Sequence, residues 1–344
     1  LTAAMISGLM VMGSSAASSS YTDVADTDNV EAIEVLKTVG IMVGDESGDF
    51  NPDQNVTRNE MAVVMSNLMA YNVATYANTS PFTDVPSWAE PYVAACWTNG
   101  ITAGTSATTY GGSESVTTAQ AALMLMKALG YFQYGSDFGS DWQLATVTQG
   151  NKIDLFEDVD SGVREAMTRN DLAQLVLNTL EAGTVEAESD GSISVGDITI
   201  VNNVKYNYVT SGRDYAKAID DKITTNNDGD MTRGYVVELG EKLYQGELKK
   251  DDDTTDDLGR PATVWEYQGK EIGTFAETAD HTFTAKVTSK ALYDEVGKTA
   301  AEKYSWNVYL NGESIDYDGQ DLIDNRNDNA DDFVKEAGVL TDDA

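Results

Sequence analysis

Apolar residues recur with helical spacing at three places in the first half of the chain. Met61, Val64, Met65 and Leu68 form one apolar face at i, i+3, i+4 and i+7. Met124, Leu125 and Ala128 form a second, and Leu172, Leu175, Val176 and Thr179 a third. The same start signal precedes each run. Thr57 with Glu60, Thr117 with Gln120 and Thr168 with Asp171 have capping-box spacing: the Thr hydroxyl takes the N3 amide and the N3 side chain reaches back. Glu60, Gln120 and Asp171 are therefore read as caps first and as secondary ligands second.

A second, leading helix belongs to each copy. Tyr21-Thr22-Asp23-Val24 runs into a helix with Val30, Ile33 and Leu36 inward, ended by Gly40-Ile41-Met42-Val43-Gly44, with Gly40 at the C′ position. Phe82-Thr83-Asp84-Val85, Trp88 to Trp97 and Gly100-Ile101-Thr102-Ala103-Gly104 repeat this order, and Tyr110 stands where Phe50 stood. In the third copy Asn151-Lys152-Ile153-Asp154-Leu155 replaces the glycine turn, and the stretch 131–142 is irregular where the leader should be. Two helices alone cannot bury their apolar faces. Three such units can, so the pattern predicts a compact all-α domain of three repeats.

One residue in the pattern has no capping role. Arg58 and Arg169 sit in the first turn of their helices, where the backbone dipole is positive and a cation is disfavoured. An anion held jointly by the guanidinium and the free helix-tip amides would explain both. Thr118 stands in place of the arginine in the second copy. One or two anion-binding grooves are expected, not three.

Beyond Leu180 the helical period stops. The acidic stretch 184–191 reads as a linker. Strand-like runs follow at 192–201, 205–209, 234–239, 262–273 and 282–287, then one helix over 289–304 and a strand over 306–310 that ends in the hairpin signal Asn311-Gly312. The region 192–344 is thus expected to be a β-rich α+β domain. At the other end, an apolar run, Leu1 to Met12, precedes small residues with Ser15 and Ala17 at cleavage-site spacing. Residues 1–20 read as the remnant of a secretory signal peptide, with the mature chain starting near Ser18.

Charge narrows the function classes. The 344 residues carry a net charge of −35, from 57 acidic and 22 basic side chains. Nucleic acid and anionic membrane need a basic footprint, so neither is an expected partner. Only six basic residues lie in 1–182, and two of them occupy the same repeat position. The lone Cys96 falls sixty positions after Leu36, the place of a small buried apolar residue, and excludes an intrachain disulfide. His281 has no nucleophile signature to accompany it and reads as a polar surface residue. No cofactor is expected. Calcium is the one cation the acidic loops could take outside the cell, with Asp45, Asp49, Asp228 and Asp230 as candidates, although no EF-hand is complete. Paired carboxylates could serve a glycosidase, but among 57 acids such pairs arise by chance.

The Asp-Val leader, the Gly-Ile-x-x-Gly turn, the aromatic-x-Pro loop and the Thr-Arg-x-Glu helix start together resemble the repeats of S-layer homology (SLH) domains, over about residues 21–182. The stretch from Leu258 to Pro261 onward resembles the region after the repeats in clostridial surface-layer proteins. The resemblance divides the chain into repeats at 21–78, 79–130 and 131–183 (the last divergent). It implies a pseudo-threefold helical bundle that tethers a secreted surface protein non-covalently to an anionic, pyruvylated secondary cell-wall polysaccharide. Carried over by position, Arg58 and Arg169 would meet the carboxylate, Thr57 and Thr168 would order the helix starts, and Gly44 and Gly104 would let the backbone approach the sugar. Trp88 and Trp97 could stack on sugar faces, but packing in the core is their plainer reading. The expectation is therefore a non-enzymatic wall anchor whose β-rich half joins a surface array. The alternatives are a wall-tethered polysaccharide hydrolase and an adhesin or filament subunit.

Overall fold

The computed structural model describes residues 19–25, 28–189, 192–195, 198–201, 204–220, 234–256, 260–277, 281, 288–303, 308–310, 313–315 and 317–327. The chain divides into two compact units, one of 18–250 with 265–273 and one of 1–17, 251–264 and 274–344. The expected signal-peptide remnant, apart from Ser19 and Ser20, lies outside the described residues, as does the strand expected at 282–287.

In the first unit the helical period holds. The leading helices are α1 (Val30–Thr38), α3 (Glu90–Thr98) and α5 (Trp142–Gly150); the capped helices are α2 (Arg58–Leu68), α4 (Thr118–Leu129) and α6 (Arg169–Glu181). Met61, Met65, Leu68, Leu125, Leu172, Leu175 and Val176 are all buried, each at no more than 1 % exposure. Gly40 closes α1 with φ +78, the left-handed conformation that glycine adopts without a Cβ penalty.

The packing is cyclic. α2 packs on α3, α4 on α5, and α6 returns to α1, so each capped helix covers the leading helix of the next copy. The segments before the three caps close the same ring in backbone hydrogen bonds, with the donors running the opposite way round. Val56 N–H donates to the Met167 carbonyl (2.9 Å), Met167 N–H to Val116 (3.0 Å) and Val116 N–H to Val56 (2.9 Å). Three donors and three acceptors from three distant parts of the chain thus satisfy one another in a closed ring.

The remainder is mixed. Strand β1 (Val185–Ser189) pairs antiparallel with β4 (Val204–Tyr208), and β2 (Ser192–Val195) with β3 (Ile198–Val201). The expected linker is therefore partly a strand. Val185 and Ala187 face inward while Glu186 and Glu188 face solvent, a period-two pattern too short and acidic to stand out in the sequence. Short strands β5 (Thr210–Ser211) and β6 (Tyr235–Val236) pair next, and α7 (Leu239–Tyr244) follows. A three-stranded sheet then runs in the order β7 (Leu248–Thr255), β8 (Pro261–Tyr267), β9 (Lys270–Ala276). Asp251, Asp252 and Asp253 lie in β7, although an acidic run reads as a loop; as an edge strand β7 can carry exposed charge, which discourages further pairing.

In the second unit α8 (Ser289–Lys303) is broken at Gly297, where φ is +80 and ψ 161, so the expected single helix has a kink. Strands β10 (Val308–Leu310) and β11 (Glu313–Ile315) pair antiparallel, while the Asn311-Gly312 turn expected between them lies outside the described residues, and α9 (Gly319–Asp324) follows. Leu292, Ala301, Tyr317 and Leu322 make a small core there. A helical N-terminal half followed by antiparallel sheets and short helices gives a mixed, multidomain α/β chain.

Candidate binding site at the repeat junctions

The capping chemistry forms at all three helix starts, but not identically. Thr57 accepts from Glu60 N–H while Glu60 accepts from Thr57 N–H at 2.8 Å, and Thr117 with Gln120 does the same. Thr168 accepts from Asp171 N–H at 3.1 Å, yet Asp171 does not reach back. Its side chain is one methylene shorter than Glu, and it accepts instead from Ser161 N–H at 3.0 Å and from the Ser161 hydroxyl. The third cap is thus half a box.

The helix-tip amides are not free. Arg58 and Asn59 N–H donate to the Glu114 and Gly112 carbonyls, Thr118 and Ala119 to Glu165 and Val163, and Arg169 and Asn170 to Gln54 and Pro52. In each case the acceptor loop belongs to the next copy around the ring. The expectation that these amides would hold an external anion is therefore corrected: they fasten one copy to the next.

Both arginines reach across the same junctions. Arg58 Nε donates to the Tyr110 carbonyl (3.2 Å) and Nη2 to the Ala103 carbonyl (2.8 Å), with the guanidinium 4.6 Å from the Tyr110 ring centre. Arg169 Nε donates to Phe50 (2.7 Å) and Nη2 to Val43 (2.9 Å), 4.7 Å from the Phe50 ring centre. Phe50 and Tyr110 are completely buried beneath them. Each guanidinium thus spends two of its five N–H groups on carbonyls and one face on an aromatic ring. Among the described residues, no carboxylate lies within ion-pair distance of either. Burial draws the Arg169 pKa below its ordinary value, opposed by Glu60, Tyr21, Asp45 and Asp23. At the remaining junction Thr118 is 1 % exposed and its hydroxyl points at the Ser161 carbonyl (3.4 Å). An arginine at Thr118 would not fit without displacing that loop.

The leader aspartates explain why the aromatic loops sit where they do. Asp23 accepts from Phe50 and Asn51 N–H (2.9 and 2.6 Å), and Asp84 from Tyr110 and Gly111 N–H (2.8 and 2.9 Å). Desolvation raises the Asp23 pKa but those amides outweigh it, and the amides of Tyr110 and Gly111 dominate at Asp84, so both carboxyls lie below the usual range. The leader aromatics then fill the glycine turns. A Cβ on Gly44 would lie 2.6 Å from the Tyr21 ring, and one on Gly104 2.3 Å from the Phe82 ring. Close approach at these glycines is therefore made by the protein's own rings. Gly44 N–H also donates to the Tyr21 hydroxyl at 2.8 Å.

The two arginine junctions differ at one flanking position. Trp97, 38 % exposed, meets Phe82 edge-on at 6.2 Å, whereas Lys37, sixty residues earlier, sits 4.0 Å above the Tyr21 ring. Trp88 is 56 % exposed, so the core reading of both tryptophans is corrected: they are surface residues. The place of Trp97 could not be read from period alone, because α3 is apolar on nearly every side, and Trp88 lies in the turn before that helix. Cys96 is buried as expected, and His281 is exposed.

Asp45 organises its own loop, accepting from Ser47 and Asp49 N–H and from the Asn51 amide. Asp228 and Asp230 lie outside the described residues, among which no group of three potential metal ligands occurs. A cavity of about 640 Å³ lies elsewhere, between the irregular segment of the third copy, α5 and β4, lined by Tyr131, Phe138, Asp141, Leu144 and Tyr206 among others. No helix among the described residues is long and apolar enough to cross a membrane.

Comparison with known proteins places this geometry. The model of the S-layer homology domain matches residues 20–62 and 81–122, the first two copies. The Surface-layer 125 kDa protein of Lysinibacillus sphaericus is 31% identical over 129 residues, covering 37% of this chain and 11% of that protein. The Cell surface protein of Thermoanaerobacter kivui is 26% identical over 247 residues, 66% of this chain and 31% of that protein. The S-layer protein of Bacillus thuringiensis subsp. finitimus is 32% identical over 106 residues, 30% and 13%. The chain thus spans less than a third of the length of each of these relatives. The chain carries two matches to the S-layer homology domain and is similar over its N-terminal part to surface-layer proteins.

Proposed function

We propose that the chain anchors a surface-layer protein to the cell wall by binding an anionic, pyruvylated secondary cell-wall polysaccharide at the junctions marked by Arg58 and Arg169. The protein is secreted and wall-associated, in keeping with relatives named for surface layers and cell walls. The three copies form one pseudo-threefold bundle, a reading supported by the cyclic helix packing and the ring of Val56, Met167 and Val116. Binding takes place without turnover, and the half beyond Glu181 self-associates in the surface array.

The observation that carries the proposal is the spare N–H groups of two guanidiniums that form no close ion pair. In a chain with 57 acidic residues, Arg58 and Arg169 have no carboxylate partner among the described residues and keep N–H groups for an external one. At the Arg58 junction, exposed Trp97 beside Phe82 offers a face for a sugar ring. The Arg169 junction instead has Lys37, a second cation, close by on Tyr21.

The test uses walls as well as variants, because the arginines also brace the fold. The full chain should co-sediment with purified cell walls and fail to do so once acidic substituents are chemically removed from the wall polymer. Arg58→Ala with Arg169→Ala should abolish co-sedimentation with untreated walls while circular dichroism still shows a folded chain. Undiminished binding to the depleted walls would overturn the reading, and release of soluble sugars from the wall during the assay would favour a tethered hydrolase.

A further inference from the structure

Where α7 packs against α6, and Trp265 reaches Glu31 on α1, the first unit buries several acids among its described residues. Glu238 and Glu241 are both completely buried at the start of α7. Glu241 is well satisfied, its carboxylate accepting from the N–H groups of Ala218 (2.8 Å), Ile219 (3.4 Å) and Glu238 (3.0 Å). Neither carboxylate oxygen of Glu238 has a hydrogen-bond partner. From α1, the half-buried Glu31 accepts from the indole N–H of the fully buried Trp265 at 2.5 Å. From the end of α6, Glu181 pairs with Lys250 at 3.1 Å, and Lys250 lies 5.8 Å from the Trp265 ring centre.

Among the described residues, Glu241, Asp220 and Glu181 act on Glu238 repulsively and Lys250 attractively; Glu181 and Asp158 act likewise on Glu31, with the Trp265 indole and Lys250 opposing. A buried carboxylate with no donor and like-charged neighbours takes up a proton rather than stay ionised. The fold leaves little slack for a different solution. Leu239 N–H donates to the Ala182 carbonyl and Thr184 N–H to Val237, and a Cβ on Gly240 would stand 3.1 Å from the Leu180 carbonyl.

We propose that Glu238, together with Glu31, makes this attachment a proton-dependent latch: the segment 235–250 with Trp265 is fastened onto α1 and α6 while both carboxyls hold protons, and it loosens as they ionise. The direction follows from linkage. Burial, first, and the neighbouring acids raise Glu238 to about 10 and Glu31 to about 7, both above the ordinary glutamate value of 4.5. The docked state therefore binds more protons than the opened one, so its stability is greatest below about pH 4.5 and falls as pH rises toward those values.

Hydrogen exchange read by mass spectrometry on the full chain tests this, with protection factors corrected for intrinsic exchange. Between pH 6 and pH 8, protection of the α7 amides should fall at least about tenfold, while that of α4 should hold. In the Glu31→Gln, Glu238→Gln variant the fall should shrink below about threefold, and α7 should be better protected than in the wild type at pH 8. A wild type with unchanged α7 protection, or a variant that keeps the full fall, would overturn the proposal. Infrared difference spectroscopy gives a second reading should the variant fold poorly. A carboxylic-acid C=O band should persist in the wild type at pH 8 and be lost in Glu238→Gln; its absence from the wild type would equally rule the latch out.

Discussion

Arg169 Nε lies 2.7 Å from the Phe50 carbonyl oxygen, joining the third repeat to the first across 119 positions of sequence. The guanidinium that marks the candidate site is thus also a structural brace. Replacing it with methionine keeps most of the aliphatic stem but leaves the Phe50 and Val43 carbonyls without their donor and removes the cation from the Phe50 ring. Arg169→Met should lower stability by about 2–4 kcal/mol in urea unfolding, with Arg169→Lys intermediate. Unchanged unfolding midpoints would show that the brace contributes nothing and that the side chain serves binding alone.

The glycine turns make a separate prediction. Gly104→Ala would put a methyl group against the Phe82 ring and the Ser106 and Thr109 carbonyls. The cost should be about 1–3 kcal/mol. Because the clash is with a side chain as well as backbone, Phe82→Leu should relieve part of it. A double-mutant cycle should then give a coupling of at least about 0.5 kcal/mol; strictly additive effects would place the strain in the carbonyls instead.

Acid should loosen the repeats by a route opposite in sign to the latch at α7. Asp23 and Asp84 have folded pKa values below the ordinary 3.8, held there chiefly by backbone amides. Their contribution is present above about that value and is lost as pH falls through the depressed ones. Thermal melts taken from pH 5 down to pH 2 should therefore drop, and Asp84→Asn should flatten part of the decline. A variant whose acid limb superimposes on the wild type would remove Asp84 from the account.

Much of this was legible in the amino-acid order, for identifiable reasons. The capped helices declared themselves because a Thr with Glu or Gln three residues on, followed by an i, i+3, i+4, i+7 stripe, has few other uses. Gly40 held its spacing because it closes the leading helix at positive φ, and Phe50 and Tyr110 because each fills the same place in the loop before a cap. What the sequence hid was partnership. Nothing local distinguishes a helix-tip amide left for a ligand from one already bonded to a carbonyl in the next repeat, so Arg58 looked like half of an anion site when its first duty is to Tyr110 and Ala103. Trp97 was misplaced for a related reason, since α3 offers no polar face against which to read it, and Trp88 sits in the turn before that helix, where no period applies. The edge strand β7 was missed because three consecutive aspartates mask a backbone that is free to pair.

The reciprocal bonds among Val56, Met167 and Val116 set a limit on how such a protein can evolve. A row of stacked units can be lengthened by copying one more, because its last member always presents an open side. Here the last member is already joined to the first, and a fourth would have to break an existing seam to enter. Growth in this lineage should therefore come by appending new modules after Glu181, or by altering what each seam recognises, while the number of units stays at three.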